Sequence, residues 1–308
     1  MKDLSISIGS ITLKNPVMTA SGAFGNVKEG ADLVDISQLG AVVPKTITRA
    51  PRQGNAPPRT VETTSGLLNA IGLDNDGLQA FIETKAPYYQ SLPCPVIVSF
   101  AGENLDDYVS MAKELQKAVC PNGQPGNIAA LEMNISCPNV AHGTDFGKDP
   151  KQCFELVSAV RKAITLPLFV KLTPNVSDIA VIAKAAQTGG ADAVCLINTV
   201  LGMAIDWKNR KPRLGNKMGG LSGPAIKPIA LRMVYQVAQM VNIPIIGIGG
   251  IETIDDAMEF FVAGASAIQV GTANFYKPRA TTEIIDALPA ALDILGANSI
   301  KEIIGSMK

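Results

Sequence analysis

Ile245-Ile246-Gly247-Ile248-Gly249-Gly250-Ile251 and, further along, Ile268-Gln269-Val270-Gly271-Thr272-Ala273 decide the fold. Each is a short aliphatic run that breaks into glycine, and the first leads into the helical pattern of residues 254–263. Backbone N–H groups exposed at such strand-to-helix turns make a phosphate cradle. In a (β/α)8 barrel that cradle follows strands seven and eight, late in the chain. A doubly wound dinucleotide fold places its glycines after the first strand, so the late position favours the barrel. Glycines that merely make tight turns are the plainer alternative, and their occurrence at both expected strands argues against it.

Similar runs recur at 17–20, 41–45, 96–100, 130–134, 168–172 and 193–197, which with 245–248 and 268–270 makes eight. They are β-branched and nearly all apolar, as strands covered on both faces should be. Amphipathic stretches at 107–119, 150–164, 177–188, 226–240 and 254–263 alternate with them. Eight such units without a break in composition predict one α/β barrel domain over residues 1–308. Two segments depart from the repeat. Ser5-Ile6-Ser7-Ile8-Gly9-Ser10-Ile11-Thr12-Leu13 alternates around a glycine and predicts a hairpin closing the barrel bottom. Residues 203–221, which hold the only tryptophan, Trp207, predict a second hairpin or flap after strand six.

Composition narrows the function. The 308 residues have a formal net charge of +0, which favours neither nucleic acid nor an anionic membrane as a partner. No apolar run reaches the ~18 residues that span a bilayer. Met1-Lys2-Asp3-Leu4-Ser5 lacks the apolar core of a signal peptide, so a cytoplasmic protein is expected. The cysteines Cys94, Cys120, Cys137, Cys153 and Cys195 form no C-x-x-C pair, and His142 is the only histidine. That pattern argues against a disulfide framework and against a zinc or iron–sulfur site carried by this chain.

Barrel chemistry sits at the C-terminal ends of strands. Those ends hold Ser21 and Gly22, Lys45 and Thr46, Ser99, Asn134, Lys171, Asn198 and Thr199, Gly249 and Gly250, and Gly271 and Thr272. Gly223, opening the helix before strand seven, offers one more N–H. Together the glycines predict a phosphate-bearing ligand. Two lysines beside it admit two chemistries. Lys171 could form a Schiff base in a lyase-type barrel. Alternatively its charge could face the pyrimidine edge of a flavin and stabilise the reduced ring. Asn69, Asn134, Asn139 and Asn198 favour the second, since amides both donate and accept and can read a flat pyrimidine. In Asn134-Ile135-Ser136-Cys137-Pro138-Asn139 a thiol follows a buried strand that Pro138 ends, which makes Cys137 a candidate acid/base or nucleophile.

Several segments resemble the class 1 dihydroorotate dehydrogenases: Asn15-Pro16-Val17-Met18-Thr19-Ala20-Ser21-Gly22-Ala23-Phe24-Gly25, Lys45-Thr46, Asn69-Ala70-Ile71-Gly72-Leu73, and the Cys137 segment. Val170-Lys171-Leu172, Ile197-Asn198-Thr199, Gly220-Leu221-Ser222-Gly223 and the two glycine turns continue the likeness, in order, across essentially the whole chain. The Ser-Gly-x-Phe-Gly and Val-Gly-Thr-Ala-Asn-Phe forms look most like class 1B, whose catalytic subunit passes electrons to a partner and on to NAD. The resemblance implies one FMN on Ser21, Lys45, Thr46, Ser99, Asn134, Lys171, Ile197, Gly223, Gly249, Gly250, Gly271 and Thr272. Dihydroorotate would meet Lys45, Asn69, Ala70, Ile71, Gly72, Leu73, Asn134, Asn198 and Thr199. Cys137 would be the general base taking the C5 proton as the C6 hydride leaves, and the loop 139–148 would cover the substrate. FAD and [2Fe–2S] would lie on a partner subunit, within a heterotetramer built on a dimer of this chain. The family often carries Asn where this chain has Ser99. A fumarate-dependent class 1A enzyme, a dihydropyrimidine dehydrogenase-like enzyme and the Schiff-base lyase are the competing readings.

Overall fold

The computed structural model describes residues 2–120, 126–136 and 146–308. Seven strands form one parallel sheet in the spatial order Val17–Thr19, Ala267–Val270, Ile245–Ile248, Ala193–Leu196, Leu168–Lys171, Ile128–Asn134 and Val96–Phe100. Every residue of these strands is buried, which is why they show as unbroken apolar runs rather than alternating ones.

The expected strand at 41–45 forms only single bridges. Ala41 bridges Met18 on one side and Val42 bridges Val96 on the other, so the two edges of the sheet are joined and the barrel closes. Pro44 explains the brevity, since it has no N–H to donate to a ladder. The pairing resumes at Ile47, which bridges Phe100.

Helices Leu105–Val119, Pro150–Ala163, Ile179–Thr188, Lys227–Ala238 and Ile254–Ala263 cover the outside, close to the expected stretches. Their starts are set locally. Asn104, Asp149 and Asp178 each accept a first-turn N–H, and Thr253 with Asp256 closes a full capping box. The hairpin Ile6–Ile8 with Ile11–Leu13 lies at the N-terminal end of the barrel, where Gly9 packs on the side chain of Asp192 just ahead of strand Ala193–Leu196.

Above the opposite end stands a four-stranded antiparallel sheet, ordered Val200–Met203, Met218–Ser222, Gly66–Asn69, Thr60–Thr63. The expected hairpin after the sixth barrel strand is its first half. The second half comes from a hairpin about 150 residues earlier, which the sequence pattern did not disclose: Gly220 pairs with Asn69 and Ser222 with Leu67. The two halves meet closely enough to need glycine, because a Cβ on Gly66 would run into Ser222 O and one on Gly219 into Asn69 O. This canopy has its own small core of Val61, Leu68, Ala70 and Leu214. No helix among the described residues is long and apolar enough to cross a membrane.

Candidate active site

Between the strand ends and the canopy lies a cavity of about 750 Å³. It gathers residues from Ala20 to Phe275 in the sequence, and nearly every expected site residue lines it. Ser21, Lys45, Thr46, Asn134, Lys171, Ile197, Gly223, Gly249, Gly250, Gly271 and Thr272 do so, as do Asn69, Ala70, Ile71, Gly72, Leu73, Asn198 and Thr199. Ser99 does not. It is fully buried behind Thr46, whose hydroxyl it meets at 2.9 Å, and Thr46 in turn meets Ser21 Oγ at 2.9 Å. Cys137, Asn139, His142 and the loop up to residue 145 lie outside the described residues.

The barrel end supplies charge and backbone donors. Lys171 closes strand Leu168–Lys171 and is only 6% exposed, with its Nζ 4.0 Å from Glu132 Oε1. Asn134 closes the neighbouring strand, and Tyr108 donates to its carbonyl at 2.8 Å. Its Oδ1 accepts from Ser136 N at 3.2 Å, and the Ser136 hydroxyl accepts from Asn198 Nδ2. Asn198 Oδ1 then accepts from Thr199 N at 2.7 Å, so the ends of two barrel strands are linked by one polar chain.

The glycine cradle has a steric reason to be glycine. Gly249 and Gly250 have φ of 127° and 75°, and a Cβ on Gly250 would sit 2.9 Å from Lys227 N and 3.0 Å from Gly223 O. At Gly271 the reason differs. Its φ is not positive, and a Cβ there would meet only Ala20 Cβ, at 3.5 Å. A side chain at Gly271 would therefore project into the cavity, where the glycine leaves space for a ligand.

The canopy supplies the other wall. Asn69 ends strand Gly66–Asn69 and donates from Nδ2 to Gly220 O at 3.2 Å. The segment after it is held by Asn55, whose N donates to Ile71 O at 2.9 Å and whose Nδ2 donates to Ala70 O at 3.0 Å. Arg59 adds bonds to Asn55 O, Gln53 O and Asp74 Oδ2. Burial pushes the Lys45 ammonium below its ordinary pKa of 10.5, the Asp74 charge opposing that shift and Arg59 and Lys85 adding to it.

Sequence reading missed Asn55, Asn175, Asn216 and Glu252 on this cavity wall. Asn175 had a signal: Thr173-Pro174-Asn175 repeats, one strand later, the Cys137-Pro138-Asn139 pattern. It binds Thr173 Oγ1 at 3.1 Å and Thr199 O at 3.2 Å, and accepts from Leu201 N at 2.9 Å, tying the barrel to the canopy. Asn55 and Asn216 sit in loops with no such pattern. Glu252 follows the Gly249-Gly250 turn, and its carboxyl is held above the ordinary range by burial and by Asp256.

A family model described as dihydroorotate dehydrogenase matches residues 3–292. A Geotalea uraniireducens protein named dihydroorotate dehydrogenase B (NAD(+)), catalytic subunit, is 50% identical over 306 residues, 99% of this chain and 98% of its own length. Proteins of the same name from Alkaliphilus metalliredigens and Enterococcus faecalis are 51% and 48% identical, with 99% of this chain covered and 99% and 96% of theirs. Among solved structures, the Eimeria tenella DHODH in complex with ferulenol superposes with a TM-score of 0.80 at 23% identity, over 99% of this chain and 88% of that one, which supports the fold. This chain belongs to the dihydroorotate dehydrogenase family.

Proposed function

We propose that this chain is the catalytic subunit of an NAD-linked dihydroorotate dehydrogenase, oxidising (S)-dihydroorotate to orotate in pyrimidine biosynthesis. The observation that carries this reading is the single cavity that brings Lys171, Asn134, Asn198 and Asn69 together above the Gly249, Gly250 and Gly271 backbone. The name shared by the relatives supports the NAD-linked form over the fumarate-dependent and dihydropyrimidine alternatives. Membership of a dehydrogenase family weighs against the Schiff-base lyase.

The cavity fits FMN. Its volume accommodates a mononucleotide, the glycine N–H groups match a phosphate, and Gly271 keeps the wall clear. When bound, FMN supplies the two-electron acceptor for the C6 hydride of the substrate. The chain's own residues do the rest. Gly223, Gly249, Gly250, Gly271 and Thr272 hold the phosphate. Ser21, Thr46, Ile197 and Asn134 would hold the ring system, with Ser99 acting through Thr46, and the Lys171 charge would favour the negative charge of the reduced ring. Asn69, Asn198, Thr199 and the segment Ala70, Ile71, Gly72, Leu73 read the pyrimidine, and Lys45 meets its carboxylate. Cys137, as the thiolate, accepts the C5 proton, so that the C5–H and C6–H bonds break, one hydrogen leaving as a proton and the other as a hydride, and the ring gains its C5=C6 double bond.

A partner subunit carrying FAD and [2Fe–2S] would take the electrons on to NAD, in a cytoplasmic heterotetramer. The word "subunit" in the relatives' name supports such a partner. The test is reconstitution. The isolated chain should form orotate with an artificial dye acceptor but not with NAD, and adding an FAD/[2Fe–2S] subunit should confer NADH formation. Rapid turnover of the isolated chain with NAD or fumarate would overturn the partner model.

A further inference from the structure

We propose that Glu132 is a positioning residue: its carboxylate, buried in the barrel interior and fixed by Gln269, is the counter-charge that holds the Lys171 ammonium at the floor of the cavity. The inference rests on the flavin reading above and assigns a role to a residue that lies below the cavity wall.

Glu132 lies two residues before Asn134 in the same strand, so the two side chains share the inward face, Glu132 one layer deeper. It is 0% exposed. Oε2 accepts from Gln269 Nε2 at 2.9 Å. Gln269 stands on Ala267–Val270, with strands Ile245–Ile248, Ala193–Leu196 and Leu168–Lys171 between it and Glu132 in the sheet, so this bond crosses the barrel interior. Oε1 has no hydrogen-bond partner among the described residues, and it is the atom 4.0 Å from Lys171 Nζ. Ser99 is its ladder partner on the next strand, and the Cys195 thiol, which burial pushes well above its ordinary pKa, faces Glu132 as a neutral group.

A buried carboxylate is costly unless it is paired. A glutamine would fill this space and keep a bond to Gln269, so the interior does not need an acid for packing. What the acid adds is a negative charge beside Lys171. The pair is held from both sides: Gln269 locks the carboxylate, and the ladder pairs Asn134 with Lys171 one layer up. Without Glu132, a lysine that is 6% exposed has no described counter-charge, and its cation is no longer held at the cavity wall.

The test is the midpoint potential of bound FMN in the wild type, Glu132→Gln, Lys171→Met and the double variant. A cation at the pyrimidine edge stabilises the reduced anion, so losing it lowers the potential. The expected result is that Glu132→Gln lowers the potential, as Lys171→Met does, and adds nothing in the Lys171→Met background. If Glu132 acted only as a nearby negative charge, its removal would raise the potential, which would overturn the proposal. An unchanged potential with a lowered melting temperature would assign it a purely structural role and overturn it equally. Should Glu132→Gln fail to fold, Gln269→Met, which frees the carboxylate without removing it, is expected to give a smaller shift in the same direction, and no shift would overturn the proposal. A wild-type protein that binds no FMN would instead overturn the functional reading beneath it.

Discussion

All seven residues of strand Ile128–Asn134 are buried, whereas along Met218–Ser222 only Gly219 is. The two strands face each other across the cavity from the barrel and from the canopy. The barrel side is locked by covered strands and carries Lys171, Asn134, Gly249, Gly250 and Gly271. The canopy side is short, glycine-rich and half exposed, and carries Asn69 and the segment through Leu73. On the proposed function the barrel side would hold FMN and offer Lys45, Asn198 and Thr199 to the substrate, whereas Asn69 and the segment through Leu73 on the canopy would meet the substrate alone. Substitutions on the two sides should therefore separate FMN affinity from substrate KM.

The largest effect is expected from Cys137, three residues past the barrel strand. Cys137→Ser should slow flavin reduction by dihydroorotate by about 10²–10⁴-fold at neutral pH, the usual range for a general base, with FMN still bound. In the wild type the same rate should rise toward alkaline pH, following a thiol that ordinarily titrates near ~8.5. Stopped-flow flavin absorbance checks both. Loss of FMN in the variant would give Cys137 a structural role instead.

How much of this division could be read from the sequence depends on where each strand is buried. The barrel strands were legible because burial on both faces leaves no polar alternation to blur them. Residues 41–45 looked equally apolar, but Pro44 removes a ladder donor and leaves bridges in place of a strand. The canopy was half hidden. Thr60–Thr63 and Gly66–Asn69 are short, and their partner Met218–Ser222 is distant in the chain, so no local pattern shows the sheet. The cavity lining was legible wherever a strand end itself reaches the cavity, as at Lys171 and Asn198. Ser99, expected beside it, stands one residue behind the lining, its hydroxyl meeting Thr46. The lining was missed at Asn55 and Asn216, which no strand end announces.

The next largest effect belongs to the barrel side. Gly250→Ala forces a Cβ against Lys227 and Gly223 at a φ of 75° and is expected to weaken FMN binding about tenfold or more, a strain of roughly 1–3 kcal/mol. Flavin fluorescence titration of the apoprotein reads it directly. On the canopy, Asn69→Ala should raise the KM for dihydroorotate about tenfold, one hydrogen bond's worth, with FMN affinity unchanged. Equal effects of both variants on FMN affinity would break the comparison.

The smallest effect is a pH dependence. Burial lowers the Lys45 pKa, so the ammonium proposed to meet the substrate carboxylate is lost below the ordinary 10.5 as pH rises. Orotate affinity should fall through that alkaline range, and Lys45→Arg, which keeps its charge, should flatten the fall. The sign for stability is opposite. With a folded pKa below the unfolded one, the unfolded chain binds more protons in that window, and Lys45 favours folding as pH rises through it.

Anaerobic stopped-flow absorbance of the purified chain, mixed first with dihydroorotate and then with NAD or fumarate, tests the central claim most directly. Rapid bleaching of bound flavin by dihydroorotate, with no reoxidation by either acceptor until the partner subunit is added, is the predicted result. A protein without flavin absorbance, or a flavin that dihydroorotate does not bleach, would contradict it.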